Sequence, residues 1–321
     1  MTNMSRPLTL VEMQAIQLTL TEQRIFKIFL VLSTYALFIY INVLMLFILR
    51  TKAVFRETSR YILFAHMLIN DTIHLVLSLV LYVLGTFYVV IMRAVCAFIV
   101  LLSVSTFINA PLNLAVMSLE RYTAICFPLR HGELATPERT RVAVVLVWVL
   151  GTFNVLTDVF VLFILAEPSF YLSHSVCAIE QLLVMPWQQV KSMALNTLFF
   201  TAVGVILLYT YVAILRQARA ASTDRSSAQK ALRTVLLHAL QLGLSLMSFF
   251  YAQLEILISN LPLPVYAQLH FLNFFIVLIL PRCLSSLIYG LRDESFRPLF
   301  KQYFLCCRTQ KLSRLSVNVN K

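Results

Sequence analysis

Long apolar stretches without charged residues constrain this chain more than any other feature. A helix needs about 20 residues to cross the roughly 30 Å hydrocarbon core of a bilayer, whereas barrel strands would show only about ten residues of alternating character. Seven stretches have the helical length, although Asp158 interrupts the fourth; they cover residues 28–49, 72–92, 94–119, 142–166, 192–215, 234–254 and 256–281. The sequence therefore predicts an all-α membrane protein, a bundle of seven transmembrane helices.

The composition agrees with a membrane protein. Hydrophobic residues make up 60% of the 321 residues and charged residues only 12%, whereas soluble domains carry about 25% charged residues. This balance excludes a soluble enzyme, a disordered chain and a collagen-like fibre. We divide the chain into an extracellular N-terminal tail (1–24), a seven-helix domain (25–291) and a cytoplasmic segment (292–321).

The positive charge is distributed unevenly along the chain. The chain has 26 Lys and Arg residues. Twenty of them lie on one side of the predicted membrane: in the segment after the first span, in every second loop from there, and in the C-terminal tail. Five lie on the opposite side. Positive residues collect on the cytoplasmic side of a membrane, so we expect an extracellular N-terminus in the plasma membrane. The net charge of +12 thus reflects topology, and no nucleic-acid partner is predicted. Asn3 begins an Asn-Met-Ser triplet on the outer side and is a candidate glycosylation acceptor.

A few ionisable and polar residues lie at membrane depth, where charge is costly and usually functional. Four of them are predicted to form one buried hydrogen-bonded cluster: Asn42, Asp71, Asn113 and Ser285. This cluster either only satisfies its own polar groups or rearranges during switching, and we favour the second interpretation. Asp158 and Glu255 lie nearer the outer ends of their helices, where they contact a ligand or reach the interface. Arg282 pairs with a helix-end carbonyl or reaches an interface.

No constellation for catalysis or metal binding is visible in the sequence. The six histidines lack zinc-ligand spacing, no Gly-rich phosphate loop exists, and no nucleophile–base arrangement can be discerned. We therefore predict neither enzyme activity nor a cofactor.

One pair of cysteines is predicted to form a disulfide. Cys96 begins the third span and Arg121 ends it, 25 residues later, which is about 37 Å of helix. Cys96 therefore lies on the oxidising outer side, where Cys177 in the longest outer loop can meet it. The alternative is two free thiols.

The segment after the last span has an amphipathic pattern. Phe296, Phe300 and Phe304 recur every fourth residue, which places three aromatic rings on one face of a short helix suited to the inner leaflet. Cys306 and Cys307 follow and are candidate palmitoylation sites, or remain unmodified thiols.

Several motifs together resemble rhodopsin-like G protein-coupled receptors. Glu120, Arg121 and Tyr122 end the third helix, and the longer run LERYTAICFPLRH is similar to the odorant-receptor form of this junction. The runs RYILFAHMLIND and PRCLSSLIYGLRDESFR fit the odorant receptors of fish and amphibians, and the resemblance spans nearly the whole chain. It implies a heterotrimeric G protein of the stimulatory, cAMP-producing type as inner partner, and a location in sensory neuron cilia.

The resemblance also assigns roles to residues at the inner face. Arg121 would be restrained at rest and released towards the G protein, while Tyr209 and Tyr289 would bridge two helices through water in the active state. This chain departs from the family at the Asn-Pro pair of the last span, where it has Ser285-Ser286 instead. Its proline, Pro281, lies one turn earlier, so we expect the proline kink of this helix to be displaced. Ala110 replaces a polar residue that often completes a sodium site, and no bound metal is predicted.

The residues present in the outer half favour a small, mostly apolar organic ligand such as an odorant. Ser103 stands where amine receptors carry Asp, and the last span lacks the Lys of a retinal Schiff base. The candidate ligand contacts are Ser103, Val104, Phe107, Asn196, Phe199, Phe200, Phe250, Tyr251, Leu254, Asn273 and Val277. A receptor for a lipid or peptide is the main alternative, and a channel or transporter the weakest one.

Overall fold

The structure is a computed structural model. It describes residues 22–51, 53–178, 183, 185–221, 240, 243–244, 246–248, 250–292 and 295–303. Asn3, Phe304, Cys306 and Cys307 lie outside the described residues, so glycosylation and palmitoylation remain predictions. Of the predicted span 234–254, residues 234–239, 241–242, 245 and 249 also lie outside them.

Long apolar helices make up the described chain. Six stretches of the described residues are long and apolar enough to cross a membrane. They lie in α1 (Glu22–Thr51), α3 (Ser59–Thr86), α4 (Arg93–Cys126), α6 (Pro137–Leu165), α8 (Pro186–Ala221) and the final helical stretch 263–292. Short helices α2 (Ala53–Glu57), α5 (His131–Leu134) and α7 (Pro168–Leu172) connect them. The helical membrane bundle predicted from the sequence is confirmed.

The helices extend beyond the charge-free stretches that predicted them. A charged side chain near a membrane interface can reach water without ending its helix, so α3 begins before Arg60 and α4 continues past Arg121. The start of α6 has a capping residue, because the Thr136 side chain accepts a hydrogen bond from the Arg139 amide at 3.3 Å. Pro137 follows at the first helical position, where its missing N–H costs nothing.

The boundary between the last two spans differs from the prediction. We placed it at Glu255, but α9 (Phe250–Ile258) passes through Glu255 and a turn follows at residues 259–262. The final stretch consists of α10 (Leu263–Leu272), a π-helical segment (Asn273–Ile279) and α11 (Leu280–Arg292). Pro281 cannot donate a backbone hydrogen bond, and a local widening of the helix accommodates such a loss. The irregularity thus lies just before Pro281, ahead of Ser285-Ser286.

Helix α4 occupies the centre of the bundle. It packs against α3, α6 and α8, and many of its side chains are buried, including Ile108, Asn109, Asn113 and Met117. Large apolar side chains on the outer faces of other helices are exposed, such as Phe153, Phe160 and Phe163 on α6. An exposed apolar surface of this extent fits a lipid environment.

A small hairpin closes the outer end of the bundle. Strands β1 (Val90–Met92) and β2 (His174–Val176) pair antiparallel, with Val90 opposite Val176. Cys96 and Cys177 are disulfide-bonded, with their Cα atoms 5.4 Å apart. The predicted disulfide is therefore confirmed, and it fixes the outer loop to the start of α4.

The segment after α11 packs onto the protein rather than presenting its aromatic face to the inner leaflet. Residues 297–303 are helical. Phe296 is fully buried, with its ring 5.6 Å from that of Phe64, and Phe300 stacks on Phe296 at 6.2 Å. The short C-terminal helix was predicted correctly, but the lipid-facing role of these two rings was wrong, because α3 offers them an apolar surface within the protein.

Candidate functional site

A small cavity with a few polar residues in its wall lies in the middle of the bundle. Its wall includes Asp71 from α3, Phe107 from α4, and Arg282 and Ser285 from α11. The cavity has room for about one water molecule. Asp71 and Arg282 are only 4% and 5% exposed. The cavity therefore brings two oppositely charged residues together at membrane depth.

A proline in α4 provides the hydrogen-bond partner of Arg282. Pro111 lies inside α4 and has no N–H, so the carbonyl of Phe107, four residues earlier, loses its usual helical donor. Arg282 donates to this carbonyl from Nη2 at 2.9 Å, and its guanidinium lies 4.6 Å from the centre of the Phe107 ring. We considered a helix-end carbonyl as the partner of Arg282, but the partner is in the middle of α4. The signal in the sequence that could have located it is Pro111, four residues after Phe107.

The four residues predicted as one polar cluster divide among three local arrangements. Asp71 and Ser285 line the cavity. Asn42 instead accepts a hydrogen bond from Ser286 at 3.1 Å. Asn113 lies 3.2 Å from His66, measured between Oδ1 and Nδ1.

His66 connects α3 with two neighbouring helices. Trp148 of α6 donates to its Nε2 at 2.9 Å, so Nε2 is an acceptor and the ring proton is on Nδ1, directed at Asn113 of α4. This hydrogen-bonded series of three side chains was not predicted, because a lone histidine and a lone tryptophan carry no spacing signal.

A second polar cluster lies near the turn between α9 and α10. Glu255 accepts hydrogen bonds from Tyr266 at 2.9 Å and from Asn273 at 3.0 Å, and it pairs with His270 at 2.6 Å. Asn273 also donates to the Tyr251 carbonyl at 3.0 Å. Glu255 therefore organises the outer ends of the last two spans rather than only reaching the interface, and only Asn273 and Tyr251 of this group were predicted site residues.

Asp158 forms a third polar cluster, between α6 and α8. Its carboxylate pairs with Lys191 at 2.6 Å and accepts a hydrogen bond from Gln188 at 3.0 Å. Lys191 also donates to the Asn154 carbonyl at 3.0 Å. The pairing shows how a carboxylate can interrupt an apolar span without ending the helix, since a buried charge is tolerated when it is paired and hydrogen-bonded.

The remaining candidate ligand contacts lie on α4, α8, α9 and the final helical stretch. Ser103 is buried, and Val104 packs against the cluster around the disulfide. The rings of Phe200 and Phe250 meet edge to face at 5.9 Å. The side chains of Asn196, Phe199, Leu254 and Val277 are all partly buried. Phe107 faces the mid-membrane cavity instead, next to Arg282.

The inner end of α4 carries a compact group of charges. Arg121 and Glu120 are 3.8 Å apart, measured from Nε to Oε2, and Glu120 also lies 3.3 Å from His131. The hydroxyls of Tyr122 and Tyr209 are 3.2 Å apart, which links α4 with α8. The side chain of Tyr289 lies outside the described part of the chain, so its bridge to Tyr209 stays a prediction.

These features together define a class of protein. A bundle of membrane helices, a disulfide that fixes a loop at one end of the bundle and an ion-paired arginine at the opposite end of the central helix make a multi-pass membrane protein. Within the described residues, no group of three or more His, Cys, Asp or Glu side chains is placed to hold a metal ion.

Comparison with known proteins identifies the family. The 7 transmembrane receptor (rhodopsin family) domain matches residues 41–297. The chain is 33% identical to odorant receptor 131-2 of Danio rerio over 283 residues, covering 85% of this chain and 86% of the relative. It is 26% identical to human olfactory receptor 2M3, over 58% of this chain and 60% of that receptor. It is 28% identical to human galanin receptor type 3, over 68% of this chain and 60% of that receptor. The chain belongs to the rhodopsin family of G protein-coupled receptors, which are receptors and not enzymes.

Proposed function

We propose that this receptor detects a small, mostly apolar organic molecule, of the kind called an odorant, in the outer half of its bundle. Ligand binding activates a stimulatory heterotrimeric G protein at the cytoplasmic face and raises cAMP. The N-terminus is extracellular in this proposal, and the receptor works in the plasma membrane of sensory cilia.

One observation carries the choice of an odorant. The relative that matches 85% of this chain is named an odorant receptor, and the similarity runs through both the outer and the inner parts of the bundle. The Glu120–Arg121 pair at the inner end of α4 supports G protein coupling, since a restrained arginine at this edge can change partner when the helices move.

The outer residues support an uncharged ligand with one polar group. Phe199, Phe200 and Phe250 supply apolar and aromatic surface there. Asn196 and Asn273 each hold a buried side-chain oxygen without a hydrogen-bond partner among the described residues. A buried acceptor of this kind favours a ligand that donates a hydrogen bond, so an alcohol suits these two asparagines better than a hydrocarbon.

The test is a cAMP assay in cells that express the full chain. We expect at least one small alcohol in an odorant panel to raise cAMP, and its methyl ether, which keeps the carbon skeleton but cannot donate, to be about tenfold less potent. Equal potency for every alcohol–ether pair would contradict the role of the two asparagine acceptors.

A pair of neighbouring substitutions on α8 localises the ligand. Asn196→Leu removes the buried acceptor and is expected to lower the potency of the active alcohol by about tenfold. Thr197→Val is the matched control, because Thr197 is exposed and bonds within its own helix, to the Met193 carbonyl. Equal effects of the two substitutions would place the ligand elsewhere.

A peptide ligand is the second candidate, because a galanin receptor is among the relatives. The same assay distinguishes the two ligand classes when the panel includes galanin. A response to the peptide without a response to any small organic compound would overturn the odorant proposal.

A further inference from the structure

In this protein, the residues at the sodium site of the rhodopsin family do not fit a sodium ion. The cavity beside Asp71 has room for about one water molecule, so it cannot hold a sodium ion together with the waters that would complete its oxygen shell, and the Ala110 side chain has no oxygen to replace them. The guanidinium of Arg282 already lines the same cavity. A sodium ion there would be placed next to a fixed positive charge in a low-dielectric environment, where like charges repel strongly.

Two features of α4 hold Arg282 at this position. The Phe107 carbonyl, released from its helical partner by Pro111, accepts a hydrogen bond from Nη2, and the Phe107 ring lies against the guanidinium. The other donors of Arg282, Nε and Nη1, are buried without a hydrogen-bond partner among the described residues. A buried guanidinium with unused donors requires a nearby acceptor or anion, and Asp71 is the carboxylate that lines the cavity with it.

We propose that Arg282 is the resident cation of the mid-membrane site: its guanidinium neutralises Asp71 in place of a free monovalent cation, with one water molecule bridging the two. Ser285 and Ser248 also line this cavity, and they complete the polar partners of the water. The cation is covalently attached to α11, so it ties that helix to α3 and α4 and cannot dissociate. This proposal does not depend on the identity of the ligand or of the G protein.

Thermal unfolding of the purified receptor tests this assignment without any ligand. We expect the melting temperature of the wild-type chain to be the same in sodium chloride and in choline chloride at equal ionic strength. Arg282→Gln removes the attached cation and leaves Asp71 in a larger cavity, so sodium should then raise the melting temperature, by about 2 °C or more, through binding to the folded state. The double variant Asp71→Asn, Arg282→Gln should lose this sodium effect.

Surface expression gives a second, independent measurement of the charge pair. Asp71→Asn leaves a buried guanidinium without its counter-charge, so it should sharply reduce expression. Adding Arg282→Gln to Asp71→Asn removes both charges and should restore a large part of the lost expression. This comparison still decides the matter if Arg282→Gln alone does not reach the surface.

Two results would overturn the proposal. One is a wild-type melting temperature that rises with sodium to the same extent as that of Arg282→Gln. The other is a double variant expressed no better than Asp71→Asn alone, which would mean that the two charges do not compensate each other.

Discussion

Single residues set how closely the central helices approach one another. Gly151 of α6 faces Asn109 of α4, and a methyl group at this glycine would overlap the Asn109 side-chain amide and come within 3.2 Å of the Ser105 carbonyl. Asn109 is fully buried, and its amide nitrogen donates to the Val147 carbonyl at 2.9 Å. Because the amide is held in this way, it cannot move aside for a larger neighbour.

We therefore expect Gly151→Ala to destabilise the receptor. Overpacking a tight contact costs about 1–3 kcal/mol, which should appear as a lower melting temperature of the purified protein. Gly204→Ala is the matched control: Gly204 lies in α8 with open space where the methyl group would lie, so alanine there should be neutral or stabilise by about 0.5–1 kcal/mol. Equal melting temperatures for the two variants would contradict the close contact between α4 and α6.

The chemistry at the polar sites was only partly predictable from the sequence. Asp71 stood out because a charge inside an apolar span is costly and usually functional, and Arg121 because the Glu120-Arg121-Tyr122 motif resembles that of rhodopsin-like receptors. The partner of Arg282 could not be found in this way, since it is a backbone carbonyl whose availability depends on Pro111 and on the packing of α11 against α4. The hydrogen bonds that connect Trp148, His66 and Asn113 could not be predicted either, because they join three helices through residues with no common spacing.

At the scale of elements, the outer loop depends on its attachment to α4. The Cys96–Cys177 bond joins two residues that are 81 positions apart in the sequence, and closing a loop of this length is worth about 4.5 kcal/mol in the chain-entropy description. The bond also positions the β1–β2 hairpin over the outer end of the bundle.

Removal of this bond should sharply reduce the amount of receptor at the cell surface. Cys96→Ala, Cys177→Ala and the double variant should all lose surface expression to a similar degree, because each lacks the same bond. Cys126 is a free cysteine at the inner end of α4, so Cys126→Ala serves as the control and should be expressed normally. Normal expression of both single outer variants would contradict a structural role for the bond.

The existence of the helices was easier to predict than their ends. Apolar length identified the spans, even the fourth, which Asp158 interrupts, since few other structures place so many apolar residues in succession. The boundary between the last two spans was wrongly placed at Glu255. The Glu255 carboxylate is satisfied by Tyr266, His270 and Asn273, so it does not end α9. The aromatic face of the C-terminal helix was recognised from its period, but the period does not reveal whether protein or lipid covers it.

At the scale of the whole molecule, polar contacts are arranged as layers along the bundle. Glu255 organises the outer ends of two spans, the cavity between Asp71 and Arg282 lies at mid-depth, and Glu120 holds Arg121 at the inner end of α4. Helix α4 contributes to the last two layers, so a shift of this helix would change contacts at both depths. Such an arrangement suits a receptor that transmits ligand binding across the membrane.

The central claim is that ligand binding outside releases Arg121 to act on a G protein inside. Nucleotide exchange on a purified stimulatory G protein, catalysed by the purified receptor with and without its active compound, tests this most directly. We predict that the compound accelerates exchange with the wild-type receptor and that Arg121→Ala abolishes the acceleration, while Arg141→Ala, which removes an exposed positive charge from the inner end of α6, retains most of it. Full ligand-dependent exchange by Arg121→Ala would contradict the account.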